Sequence, residues 1–225
     1  GTFLAGTLAH VTLSLPFYTA FAVLFTLAAR LLHRCLRPKA EAASERSSPQ
    51  PGTGRSPEQT AAFLYLARLT NFAVMFTVAS TRWLFSKLAV SLGIGETEIG
   101  MVLGLLICGQ ALMFFAMGRI RHWQYAFGAI PLALLLPLIG LTLAWFSTTP
   151  LGFGIAFTIV GLSGGMAFTL GLFYSMHGSD IKGNNAGLHE AIMGCGSILG
   201  PLLGGMVARQ IALPATHLLN LAVIA

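Results

Sequence analysis

Uninterrupted apolar runs, each about as long as a bilayer is thick, alternate with short polar stretches along this chain of 225 residues. The bilayer core offers the backbone no hydrogen bonds, so a segment that crosses it must be a helix of about 20 apolar residues or a strand of a closed barrel. The runs are continuous and not alternating, which excludes the barrel. We therefore predict seven spanning helices, the last incomplete, at about 10–32, 61–84, 99–117, 125–146, 153–176, 186–208 and from 215 onward.

One polar stretch, residues 38–59, is much longer than the others. It combines Pro, Ser, Gly and charge with almost no large apolar side chain, so it cannot bury enough surface to offset the entropy of ordering. We predict a transmembrane helix within 1–37, a disordered loop over 38–59 and a six-helix bundle over 60–225. The chain does not begin with Met and its last apolar run stops after 11 residues, so we expect a fragment of a longer protein.

Composition agrees with this division. Hydrophobic residues make up 55% of the chain and charged residues only 9%, whereas soluble domains carry about 25% charged residues. The predicted fold class is all-α, a polytopic membrane helical bundle. The three cysteines are widely spaced, and phosphate-loop, nucleophile and metal-ligand motifs are absent from the sequence. We expect no enzyme, no catalytic residue, no metal and no cofactor.

The basic residues predict orientation. Lys and Arg number 13 against seven Asp and Glu, and they lie at the ends of apolar runs, so we expect no nucleic-acid partner. Three basic residues fall on one side (Arg82, Lys87 and Arg209), and nine share the side of the 38–59 loop: Arg30, Arg34, Arg37, Lys39, Arg46, Arg55, Arg119, Arg121 and Lys182. Because cytoplasmic loops are enriched in Lys and Arg, we expect a multi-pass protein of the cell (inner) membrane with this loop cytoplasmic.

One helix, a basic polar loop and six helices with short turns form an order of elements that resembles the major facilitator superfamily, whose members join two six-helix halves through a cytoplasmic loop. The resemblance implies that the chain holds the last helix of the N-terminal half, the central loop and most of the C-terminal half. A second register stays open, because the halves are repeats: the six helices could be an N-terminal half preceded by an extra helix.

Two motifs carry the resemblance further. Residues 196–205 fit G-x-x-x-G-P-x-x-G-G, which is similar to a motif of the superfamily's drug/proton antiporters. Glycines at every fourth position line one helix face and let a neighbour approach closely, and the proline can bend the helix, so packing is favoured over a ligand role. The motif residues are Gly196, Gly200, Pro201, Gly204 and Gly205.

The turn GRIRHWQ lies where the superfamily often has G-x-x-x-D-R-x-G-R-R, without its acidic residue and second glycine. The resemblance implies a cytoplasmic latch in which Arg119 and Arg121 pair with Asp180 or Glu190. The alternative is that both arginines anchor at lipid headgroups.

Polar residues inside the predicted spans are candidates for a solute path. Arg68, Asn71, Met75, Arg82 and Ser86 lie within about 60° of one another on a helix of 3.6 residues per turn. On one interpretation this stripe lines the path, with Asn71 as a hydrogen-bonding contact and arginine favouring an anionic group. On the other, both arginines snorkel to opposite headgroup layers. Two further polar residues, Gln110 and Tyr174, line either a cavity or a helix interface.

Glu190 lies about 6 Å into the sixth segment. A carboxyl group there, partly out of water, suits a gate better than a proton carrier, which belongs nearer the midplane. Two simpler interpretations remain: Glu190 is a helix N-terminal acid, and the neighbouring His189 is an interfacial residue.

These observations predict a secondary transporter that moves a small solute by alternating access, coupled to protons. The glycine-proline motif favours an antiporter that exports a drug-like or metabolite substrate. The expected partners are the solute, protons, the lipid bilayer and the N-terminal six-helix half of the same protein. The alternative is a non-transporting membrane protein on this fold, such as a sensor or an assembly factor.

Overall fold

A computed structural model describes residues 57–225, apart from Arg121, Phe127 and 178–181. These residues form helices and no strands, which confirms the predicted all-α class. The predicted helix at 10–32, the domain boundary at residue 37 and residues 38–56 of the predicted loop lie outside the described residues, whereas residues 57–59 of that loop form the start of the first helix. The six helices of the described part are α1 Pro57–Ser91, α2 Glu96–Arg119, α3 Ala129–Phe146, α4 Pro150–His177, α5 Lys182–Gln210 and α6 Ala215–Ile224.

The first five of these helices are long and apolar enough to cross a bilayer, and α6 has ten residues. The described part of the chain is therefore that of a multi-pass membrane protein. The helices agree with the predicted apolar runs in number and order.

Helix α1 is longer than predicted. The sequence places a connection after residue 84, but the helix continues to Ser91. Phe85 and Leu88, which follow the predicted end, are buried, and the ring of Phe85 lies 4.7 Å from that of Phe157 on α4. The turn after Ser91 contains Gly93, whose φ of +76° is left-handed and suits a residue without a Cβ. Burial of Phe85 and Leu88 therefore extends α1 beyond residue 84, and the left-handed glycine just after Ser91 allows the chain to turn.

Short local signals begin the next helices. The Glu98 side chain accepts a hydrogen bond from the Gly95 N–H (3.1 Å) at the start of α2. The Thr149 hydroxyl accepts one from the Gly152 N–H (3.2 Å) at the start of α4, where Pro150 occupies the first helical position. These contacts mark the starts of α2 and α4.

The helices pack in two related pairs. Helix α1 lies along α5, and α2 lies along α4, which also packs against α3 and α1. Helices α1, α2 and α3 correspond to α4, α5 and α6 in some of these contacts. The contact of α1 with α5 corresponds to that of α4 with α2, and the contact of α1 with α6 corresponds to that of α4 with α3. Because consecutive spans alternate in direction, a shift of three helices inverts each one, as in an inverted three-plus-three repeat.

Glycines create the close approach in both pairs. A Cβ at Gly200 of α5 would overlap the carbonyl oxygen of Phe76 on α1, and a Cβ at Gly161 of α4 would overlap that of Leu106 on α2. Backbone contact of this kind is how helices associate where lipid removes the hydrophobic driving force. The two glycine contacts therefore hold the bundle together.

Candidate functional site

Four polar side chains meet between α1 and α5. Nη2 of Arg68 donates a hydrogen bond to Oδ1 of Asn185 at 2.8 Å, and Nδ2 of Asn71 lies 3.4 Å from Nδ1 of His189. Arg68 and Asn71 are three residues apart on α1, and Asn185 and His189 are four apart on α5, so each pair lies on one helix face. We call these four residues the polar cluster.

The polar cluster is buried and incompletely satisfied. Asn71 and His189 are both 0% exposed, while Arg68 and Asn185 are half-buried. Three buried atoms have no hydrogen-bond partner among the described residues: Nε of Arg68, Oδ1 of Asn71 and Nε2 of His189. An unpartnered buried polar group costs about 1–3 kcal/mol. Three of the nine unpartnered buried side-chain atoms of the described residues lie in the polar cluster, and buried polar groups of this kind call for an explanation such as a functional role.

Helix α4 forms the third wall of the polar cluster. The Phe168 ring meets the His189 ring edge-on, with centroids 5.3 Å apart. A Cβ at Gly171 would lie 2.8 Å from Cε1 and 2.9 Å from Nδ1 of the same imidazole. The imidazole can therefore reach Asn71 only because residue 171 has no side chain.

The charge of the polar cluster is positive. Within the described residues, Arg68 pairs with an amide and not with a carboxylate. Among the described residues, the charged side chains that interact electrostatically with His189 are Arg68 and Glu190. Arg68 lies ten residues, or about 15 Å, after Glu58 in a candidate span of 34 residues, which is longer than the roughly 20 residues that cross a bilayer core. Ionisable groups at membrane depth are rare and mark solute or ion pathways by default.

On the C-terminal side of the polar cluster, glycines of α5 line its contact with α1. A Cβ at Gly196 would lie 2.8 Å from the Phe72 carbonyl oxygen and 3.3 Å from Cβ of Met75. Gly204 similarly faces Ser80, with its Cβ position 2.6 Å from the hydroxyl oxygen. The predicted path residue Met75 is thus part of a packed interface. The remaining motif residues are Pro201, which lies inside α5, and Gly205, which faces open space.

Two further predicted path residues are Tyr174, one turn after Gly171 on α4, and Gln110 on α2. Tyr174 is buried between the rings of Phe63 and Tyr125, and its hydroxyl oxygen accepts a hydrogen bond from the Tyr125 N–H at 3.1 Å. Gln110 lies between α2 and α4, with Nε2 3.7 Å from the Cβ position of Gly164. Both residues are at helix interfaces.

Of the four predicted latch residues, the structure describes two. The guanidinium of Arg119 lies over the Phe115 ring, 4.4 Å from its centroid. Glu190 is exposed on the surface of α5. Arg121 and Asp180 lie outside the described residues. The stripe predicted on α1 is also divided, because Arg82 is exposed whereas Asn71 and Met75 are buried.

Sequence reasoning did not single out His189 and Asn185. One interpretation of the sequence makes His189 an interfacial residue, but its side chain is fully buried. The sequence does contain a signal for both residues. Asn185 and His189 are four residues apart and Arg68 and Asn71 are three apart, so each pair lies on one helix face and the two pairs can meet if the helices are parallel neighbours. Reading that signal requires knowledge that α1 and α5 are neighbours.

A second, smaller polar contact joins α1 to α6. Nδ2 of Asn220 donates to the hydroxyl of Thr81 at 3.5 Å. Both ring nitrogens of the nearby buried His217 lack partners among the described residues. This contact contains no residue that is charged at neutral pH, which distinguishes it from the polar cluster.

The described residues contain no group of three His, Cys, Asp or Glu side chains that could hold a metal ion. The chain matches no protein-family model, and no curated protein is significantly similar to it. Its function is therefore inferred from its own side chains and helices.

Proposed function

We propose that this chain is part of a proton-coupled secondary transporter, which moves a small solute across the membrane by alternating access. The observation that carries the proposal is the polar cluster: an arginine, a histidine and two asparagines held together by three apolar helices. Packing alone would be better served by apolar side chains, because each unpartnered polar atom lowers stability.

The pairing of helices also supports the proposal. Secondary transporters of several folds are built from inverted repeats, and their solute sites lie where the repeats meet. In this chain, the contacts of α1 with α5, α6 and α2 correspond to those of α4 with α2, α3 and α5, and the polar cluster joins side chains of α1 and α5 against α4. Residues of both groups of three helices therefore contribute to one site.

Alternating access gives the polar cluster a mechanical role. The Arg68–Asn185 and Asn71–His189 contacts join the first half of α1 to the N-terminal part of α5. Toward the C-terminal ends of these helices, the contact is made by glycines and backbone carbonyl oxygens and involves few side chains. Motion of one helix against the other would break the polar contacts first. A solute or proton that replaced these contacts would supply the differential free energy that such a motion needs.

The transported solute is not specified by the glycine-proline motif. Gly196, Gly200 and Gly204 face the backbone or a short side chain of α1, so their effect is on packing. The exporter subtype therefore remains a prediction from sequence resemblance alone. The cytoplasmic position of the α1 N-terminus also stays a prediction, which rests on the distribution of Lys and Arg.

The test is solute flux into proteoliposomes made with the full-length protein, screened over anionic, cationic and neutral solutes at two pH values. Asn71→Ala removes the amide of the polar cluster, and Thr142→Ala on the exposed face of α3 is the matched control. We expect saturable flux of at least one solute, reduced roughly tenfold or more by Asn71→Ala and unchanged by the control. Absence of flux for every solute class would favour the sensor or assembly-factor alternative.

A further inference from the structure

We infer that the polar cluster binds one monovalent organic anion together with one proton, the anion at Arg68 and the proton at His189. The inference rests on the proposed transport function and narrows it to an anionic solute that travels with a proton.

Arg68 has the geometry of an anion-binding residue with its strongest acceptor missing. Its Nη2 donates to the neutral amide oxygen of Asn185, and its Nε is buried without a partner in the described part of the chain. A guanidinium presents five N–H donors in a planar fork that matches a carboxylate or sulfonate, and hydrogen bonds to an anion are about twice as strong as those to an amide. An anion can therefore replace Asn185 as the acceptor from Nη2 and accept a second hydrogen bond from the Nε–H group.

His189 has the geometry of a proton-binding residue. With its proton on Nε2, the ring accepts a hydrogen bond at Nδ1 from the Asn71 amide. When a proton from solution adds to the lone pair of Nδ1, that amide N–H contact is lost. The buried Oδ1 of Asn71, now without a partner, becomes the acceptor once the amide turns over. Asn71 can therefore pair with both the neutral and the charged ring, and no other bond has to break.

Charge couples the two events. A protonated His189 adds a second positive charge beside Arg68, opposed among the described residues only by the exposed carboxylate of Glu190. Helix α4 contributes Phe168 and Gly171 to the surroundings of the ring, and neither can titrate. An anion on Arg68 removes this repulsion, so anion binding and protonation favour each other, and the coupling is reciprocal. Binding together predicts co-transport, unlike the exchange of the two in an antiporter.

The probe is benzenesulfonate, an aryl anion that holds no titratable proton, with methyl phenyl sulfone as its neutral counterpart. The full-length protein is reconstituted in phosphatidylcholine nanodiscs, and the dissociation constant and proton uptake are measured from about pH 6 to about pH 8. We expect benzenesulfonate to bind with uptake of up to about one proton per protein, and the sulfone to give neither effect.

Matched variants assign the two roles. Arg68→Gln should weaken benzenesulfonate binding roughly tenfold or more, while Arg209→Gln on the exposed end of α5 leaves it unchanged. His189→Gln should abolish proton uptake and the pH dependence of binding, while His122→Gln at an exposed turn preserves both. Wild-type thermal stability of each variant in the absence of ligand shows that the protein is folded.

Four results would overturn the inference: no benzenesulfonate binding, binding that does not depend on Arg68, binding without proton uptake, or proton uptake that persists in His189→Gln. Phosphatidylglycerol in the nanodiscs separates a soluble anion from a lipid headgroup. If this lipid alone occupies Arg68 and excludes benzenesulfonate, the site binds lipid and the inference is wrong. Flux of neutral or cationic solutes without anion binding would contradict this inference but agree with the proposed transport function. Coupled binding of anion and proton without any flux would agree with the inference but contradict the transport function.

Discussion

Gly171 of α4 and His189 of α5 make a contact that leaves no room for a side chain at position 171. A Cβ there would lie 2.8 Å from Cε1 and 2.9 Å from Nδ1 of the imidazole. The same nitrogen lies 3.4 Å from the amide of Asn71 on α1. One missing methyl group thus permits three helices to bring an imidazole and an amide together inside the bundle.

Substitution Gly171→Ala should push the imidazole away from Asn71. We expect solute flux to fall roughly tenfold and the free energy of unfolding to decrease by about 1–3 kcal/mol, the usual effect of overpacking. The matched control is Gly194→Ala on α5, where a Cβ meets open space and should stabilise the helix by up to about 1 kcal/mol. Equal behaviour of the two variants in flux and thermal unfolding would contradict the packing described for His189.

Gly200 and Gly205, two glycines of the glycine-proline motif, should respond to substitution in opposite ways. A Cβ at Gly200 overlaps the Phe76 carbonyl oxygen, whereas a Cβ at Gly205 has no neighbour within contact distance. Gly200→Ala should therefore destabilise the bundle by about 1–3 kcal/mol, and Gly205→Ala should be neutral or slightly stabilising. Thermal unfolding in detergent measures both. A stable Gly200→Ala protein would show that α1 and α5 are not in backbone contact.

His189 and Glu190 are adjacent in sequence but should differ in function. His189→Gln retains a polar side chain and removes the titrating ring, so we expect the pH dependence of flux to disappear. Glu190→Gln changes an exposed carboxylate, and flux should keep its pH dependence and most of its rate. Initial rates over a range of external pH values measure the difference. The reverse outcome would restore Glu190 as the gating or coupling group that the sequence suggests.

Tyr174 should affect stability and not transport. Its hydroxyl accepts a hydrogen bond from the buried backbone N–H of Tyr125, which is not a residue of the polar cluster. Tyr174→Phe removes that acceptor and should lower the free energy of unfolding by about 1–2 kcal/mol. The Michaelis constant for the solute should not change. A large increase in that constant without loss of stability would instead put Tyr174 on the solute path.

The helices were predictable because each one is encoded by a local apolar run. The end of α1 was less so, since the burial of Phe85 against Phe157 depends on a helix more than 60 residues away. Sequence patterning identifies a span, but tertiary contacts decide where a compatible helix stops. The glycine at position 93 was the better local signal, because it allows the left-handed turn.

The polar cluster was half predictable. Arg68 and Asn71 stand out because polar groups at membrane depth are costly wherever they lie. His189 and Asn185 lie close to a polar connection, where the sequence offers water as an equally good partner. One residue along a helix rotates a side chain by about 100°, so His189 can be buried while Glu190 is exposed. Which residue points inward depends on the position of α1 and α4, which no local pattern contains.

Counterflow tests the central claim of alternating access most directly. Proteoliposomes with the full-length protein are loaded with excess unlabelled solute, diluted, and given a trace of labelled solute outside. A carrier with one site exposed to each side in turn exchanges the two, so labelled solute should accumulate transiently above its equilibrium level, and Asn71→Ala should abolish this overshoot. Monotonic equilibration without an overshoot, or no uptake at all, would contradict the account.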